Sequence, residues 1–155
     1  MTIPLYHPMN IVLGFGLLVV TVLIHMLALM ALRQRLHRLR VSSDNRRHLM
    51  QESMVATVLV LVLSFVHILE VVVWGGVYAA TGAIDSIDDA FYFSMTTYTT
   101  VGPSGVDILP GFRGLAGFES LIGPIMVAWS TAFLVESVAH IRMAFQAMQK
   151  HQRPQ

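Results

Sequence analysis

The chain has 155 residues, of which 55% are hydrophobic and 12% charged, and 10 Lys and Arg balance 9 Asp and Glu to leave a net charge of +1. Ordinary soluble domains carry about twice that share of charge, so this composition with a mean hydropathy of +0.65 points to a membrane protein of one domain's size. There is no cysteine, which excludes disulfides and thiolate metal sites.

The first element in chain order is an apolar run from Asn10 to Leu32, and a second extends from Met54 to Tyr78. At 1.5 Å per residue each reaches roughly 30 Å, enough to span a hydrocarbon core as a helix. The first run has no Lys or Arg before it and a basic cluster after it, the reverse of a cleaved signal peptide. It reads as an uncleaved helix. Gly14 and Gly16 lack the four-residue spacing of a dimerisation face and read as packing positions. Between the two runs stand Arg33, Arg35, Arg38, Arg40, Arg46 and Arg47, and from the end of a third run come Arg142, Lys150 and Arg153. Nine of the ten basic residues thus share one side. The positive-inside rule makes that side cytoplasmic and leaves the N-terminus outside. The loop between Arg33 and Ser53 is expected to extend both helices around a break at Ser42-Ser43-Asp44-Asn45. On this basis residues 1–53 form an N-terminal helix and basic loop, 54–143 a central domain, and 144–155 a short tail. Within the second run, Glu70 cannot face lipid cheaply. Its candidate partners are His67 one turn earlier, His25 of the first helix, or nearby backbone, and His67 with Glu70 also makes a candidate proton sensor. Trp74 and Tyr78, like Tyr6, read as interfacial anchors.

After the second run, Asp88-Asp89-Ala90-Phe91-Tyr92-Phe93-Ser94-Met95 reads as a helix of about three turns, too short to cross. Asp85 or Ser86 can cap it, and Asp88 and Asp89 suit the positive end of its dipole. The segment must dip into the membrane and return. It is followed by Thr96-Thr97-Tyr98-Thr99-Thr100-Val101-Gly102, and non-helical backbone at membrane depth has to be buried in protein or line a water-filled cavity. Thr99, Thr100, Val101 and Gly102 can offer backbone carbonyls in place of an ion's water shell, with the Thr100 hydroxyl as a further ring. Gly102 is expected to supply the left-handed backbone that keeps successive carbonyls aimed one way. One chain provides one wall, so four are needed to surround an ion.

These residues resemble the pore domain of the potassium-channel family, whose signature Thr-Val-Gly-Tyr-Gly-Asp follows a short pore helix and precedes an inner helix. The likeness includes Tyr92-Phe93-Ser94, Asp107-Ile108-Leu109-Pro110 and the stretch from Glu119 to Glu136, and covers roughly residues 55 to 143. It implies an all-α membrane protein with three transmembrane helices plus a re-entrant pore helix and filter loop, assembled as a homotetramer in the lipid bilayer. It implies passive cation transport and no enzymatic activity. Potassium or another monovalent cation would bind at Thr100, Val101 and Gly102, and the setting would be a bacterial inner membrane. No cofactor beyond permeant potassium or sodium, no nucleic-acid partner and no small-molecule substrate is expected. The sequence departs from the signature after Gly102, reading Pro103-Ser104-Gly105-Val106-Asp107. Proline cannot donate a backbone hydrogen bond, so the outer ion sites differ and weak discrimination between sodium and potassium is an alternative. A Thr96–Asp107 contact would stand where some members pair carboxyl groups. A non-conducting membrane scaffold or sensor subunit is the alternative of another class.

The third apolar run, about Leu115 to Met143, carries Glu119, Glu136 and His140. Glu119 can brace the pore loop from behind, while Glu136 and His140, four residues apart, suit a helix pair or a ring of charge at the inner mouth. Gly123-Pro124 predicts a bend, which the resemblance makes a candidate gating hinge below the filter. It also implies that a pore needs only the second and third long helices, so the first is expected outside it and dispensable. Trp129 and Phe133 read as packing.

Overall fold

A computed structural model describes residues 8–38, 45–102 and 105–152. Helix α1 runs Pro8–His37, α2 Asn45–Ala80, α3 Ile87–Tyr98 and α4 Arg113–Gln152, with one 3-10 turn at Pro110–Phe112. No strand occurs among the described residues. Three of the helices are long and apolar enough to cross a membrane. At 12 residues, α3 is about 18 Å long and does not span.

Each long helix buries one stripe. Leu59, Leu63, Val66, Glu70, Trp74 and Tyr78 of α2 are buried at spacings of three and four, as are Leu115, Glu119, Ile122, Met126 and Ser130 of α4. This is the period that keeps residues on one helix face. On α1 the stripe is Asn10, Leu17, Thr21, His25 and Leu29, and it packs chiefly on α4. Gly14 lets that contact close, because a Cβ there would strike the Phe118 ring. Asn10 donates to the Gly111 carbonyl at 2.6 Å, and Leu17 belongs to the same core as Trp74 and Leu115. The first helix, expected outside the pore, thus supplies part of the core of the single chain.

The turn back into the membrane is built from backbone. Gly82, at φ +66°, lets its N–H reach the Ala79 carbonyl while the Ala83 N–H reaches the Tyr78 carbonyl. That is a Schellman stop for α2. Ser86 then caps α3 by accepting from the Asp89 N–H, with Asp88 and Asp89 in the first turn. On the return, the Leu109 N–H bonds the Ala83 carbonyl at 3.1 Å.

The reading of Trp74 and Tyr78 as interfacial anchors is also corrected. Both are fully buried, because each polar tip finds a partner inside: Trp74 Nε1 donates to Thr21 Oγ1 at 3.0 Å and the Tyr78 hydroxyl to Glu119. Tyr6, residues 39–44, Pro103, Ser104 and Arg153 lie outside the described residues.

Candidate functional site

The segment after α3 folds back on the helix end rather than running as a strand. The Thr99 N–H bonds the Met95 carbonyl, Thr100 N–H the Thr97 carbonyl at 3.0 Å and Gly102 N–H the Thr96 carbonyl at 3.0 Å. Positive φ occurs at Thr100 (+60°) and at Gly102 (+83°). The alternating handedness expected of Gly102 alone thus begins two residues earlier, at a β-branched residue for which such a backbone is costly. Strain of this kind persists where the surroundings over-determine it. Thr99, Thr100, Val101 and Gly102 are all exposed in the single chain, Val101 to 77%. Beside them a cleft of about 650 Å³ is lined by Phe93, Thr97, Thr100, Gly102, Asp107 and Ser120, among others. The Thr97 hydroxyl is buried and has no partner among the described residues. Gly105, at φ +79°, and Asp107 are exposed.

Behind this segment the polar groups are paired. Glu119 accepts from Ser94 Oγ at 2.5 Å and from the Tyr78 hydroxyl at 2.6 Å, so one carboxylate of α4 holds both the short helix and α2. Ser94 also bonds the Val71 carbonyl. Glu70 meets three partners: His25 Nδ1 at 3.0 Å, His67 Nδ1 at 3.2 Å and the Tyr98 hydroxyl at 2.5 Å. Ser130 of α4 closes the group, 3.0 Å from His67 Nε2 and 3.2 Å from His25 Nε2. All four helices meet there. The Thr96–Asp107 contact gives way to another arrangement, since the Thr96 hydroxyl turns back onto the Tyr92 and Phe93 carbonyls of its own helix.

Gly123 does not lie well below the filter. A Cβ on it would collide with the Tyr98 carbonyl oxygen, so α4 closely approaches the residue preceding Thr99 at this point. Pro124 sits within α4 and faces outward. Glu136 and His140 turn toward α1: Glu136 is 3.8 Å from Arg33 and the His140 ring lies edge-on to His37 at 5.9 Å. A further exposed link, Arg142 to Glu52 at 2.7 Å, ties α4 to α2.

The family described as ion channel matches residues 55–140, more than half of the chain. The chain belongs to the ion-channel family. The match takes in most of α2, α3, the Thr99–Gly102 segment and most of α4, and leaves α1 outside. Neither a curated protein nor a solved structure matches the chain. Membership together with three membrane-length helices makes this an integral membrane protein for passive ion passage.

Sequence reasoning missed Tyr98, Ser94 and Ser130 as members of the polar groups. Tyr98 carries a weak signal, a hydroxyl-bearing aromatic at the end of a membrane-dipping helix that needs a polar partner when buried. Ser94 and Ser130 carry none, since serine in an apolar helix can satisfy its hydroxyl on its own backbone.

Proposed function

We propose that four copies of this chain form a cation channel that favours potassium, with the ion held by Thr100, Val101 and Gly102 and the Thr99 carbonyl below them. The observation that carries the reading is the exposure of the Thr99–Gly102 segment, with positive φ at alternate residues. A 650 Å³ cleft with an unpaired Thr97 hydroxyl beside that segment suits a neighbouring subunit. Backbone carbonyls stacked by such alternation are the chemistry that replaces an ion's hydration shell.

In this assembly the N-terminus faces outward and the arginine-rich loop and C-terminal tail lie in the cytoplasm, consistent with the charge asymmetry. A bacterial inner membrane is the setting the family resemblance favours. Pro103, Ser104, Gly105 and Asp107 stand where the family has Tyr-Gly-Asp, and a proline cannot donate the backbone hydrogen bond that a tyrosine could. A second reading, weak selectivity between sodium and potassium, is favoured by this one departure, because fewer carbonyl rings remain. Gly123 with Pro124 would transmit motion of α4 to the filter through the Tyr98 carbonyl.

Cross-linking of the purified protein in lipid tests the assembly. Four bands ending at the mass of four chains are expected, and a ladder that stops at two contradicts the proposal.

A further inference from the structure

With neutral imidazoles and an ionised Glu70, the buried cluster of His25, His67, Glu70, Tyr98 and Ser130 is short of one positive charge. Six contacts of 2.5 to 3.2 Å link these five side chains. With neutral imidazoles and an ionised carboxylate the group holds four mobile protons, one each from the two imidazoles, the phenol and the serine hydroxyl. Every arrangement of the four leaves a pair of lone pairs face to face. If both imidazoles donate from Nδ1 to Glu70, Ser130 can donate to only one Nε2, and the other meets a bare hydroxyl oxygen. If both donate from Nε2 to Ser130, both Nδ1 lone pairs point at the Glu70 oxygens. Among the described residues no Lys or Arg side chain bonds Glu70, and bare lone-pair contacts in a buried site are costly.

We propose that His25, His67 and Glu70 bind a divalent transition-metal ion of the zinc class. Their ligand atoms all lie within 4.8 Å of one another. His25 Nδ1 and His67 Nδ1 approach different oxygens of the one carboxylate, at 3.0 and 3.2 Å, so each nitrogen stands within the roughly 3.3 Å that separates two ligands of one ion at 2.0 Å bonds, and a tetrahedral ion would take one of the two oxygens. Two imidazole nitrogens and a carboxylate are borderline ligands that suit zinc or cobalt(II) better than magnesium or calcium. The outer contacts fit as well. A metal on both Nδ1 atoms requires both Nε2–H groups to donate, and the two lone pairs of Ser130 Oγ accept them, which sets both tautomers and both ring planes. Tyr98 keeps its bond to Glu70 and stands 2.9 Å from His67 Nδ1, beside the fourth position. The His67 side chain retains 19% exposure in the single chain. Because Tyr98 directly precedes Thr99, a bound ion would tie α1 and α2 to the base of the ion path.

Cobalt(II) alone, titrated into the purified full chain in lipid after chelator treatment, gives the test. The expected result is one ion per chain with the visible absorption of a tetrahedral nitrogen and oxygen site, displaced by zinc. Ser130→Ala leaves all three ligands in place and should weaken binding 10- to 100-fold, and His25→Gln should abolish the band. His37→Gln, on the exposed His37–His140 pair, should leave the band unchanged. No saturable cobalt band in the native chain, meaning that a proton supplies the missing charge, would overturn the proposal. So would a band equally strong in Ser130→Ala and His25→Gln with both variants folded.

Discussion

The two sides of the re-entrant loop are built in opposite ways. Its rear is closed within one chain: Ser94 and Tyr98 of α3 are each held by a buried carboxylate, Glu119 from α4 and Glu70 from α2. Its front is open, with Thr99 to Gly102 exposed and a buried Thr97 hydroxyl lacking a partner among the described residues. Rigid support on one side and an exposed segment on the other is what the proposed shared pore requires of each wall. In that proposal the chain completes the part that positions and leaves the rest to neighbouring walls.

Breaking the rear should have the largest effect. Glu70→Ala leaves His25 Nδ1 without its partner and removes one contact each from His67 and Tyr98 in a buried site, at about 1–3 kcal/mol for each unsatisfied group on top of the cavity left behind. A large fall in melting temperature in detergent is expected, together with loss of the assembled form. An unaltered melting temperature would mean that the polar cluster does not brace the loop.

Substitution at a close approach of rear and front should cost less. Gly123→Ala pushes a methyl group into the Tyr98 carbonyl, an overpacking cost of about 1–3 kcal/mol, and should reduce ion passage by displacing the loop. Pro124→Ala faces outward and restores a helix hydrogen bond, so it should leave stability intact and alter only open probability. Equal loss of ion passage in both variants would point to a bend acting as a unit rather than to the Gly123 contact.

The smallest effect is expected far from both sides. Glu136 and Arg33 are 3.8 Å apart and each about two-thirds exposed, so Glu136→Gln should change stability by less than about 0.5 kcal/mol. Unitary conductance should be unchanged, because Glu136 turns toward α1. A marked drop in conductance would place it on the ion path instead.

Much of this architecture is legible in the amino-acid order because it rests on local rules. Apolar runs of 20 or more residues mark α1, α2 and α4, and a three-turn segment after a Ser-Ile-Asp-Asp start marks α3 with its Ser86 cap. The buried faces of the long helices are not legible in that way, because apolar residues such as Val12, Phe15, Leu61 and Phe65 also cover their exposed sides. What local periodicity does not contain is the relative register of two helices. Trp74 and Tyr78 therefore read as interface anchors, although Thr21 and Glu119 stand opposite them. Gly123 reads as a hinge below the filter, although its lack of a side chain is used against the Tyr98 carbonyl. The same limit left three candidate partners for Glu70, of which both histidines are engaged along with Tyr98. Thr100 shows a different gap: its positive φ follows from backbone hydrogen bonds to Thr97 and from its neighbours, and a β-branched residue gives no local hint of it.

The central claim is that the open front becomes a cation filter. A reversal potential measured across a planar bilayer, with potassium on one side and sodium on the other, tests it directly, using the native chain and one in which Pro103 to Asp107 is replaced by Tyr-Gly-Asp. The account predicts a cation current in both, with the native reversal displaced toward potassium and the replaced chain displaced further. A native chain that carries no current, or one whose reversal follows chloride, would contradict it.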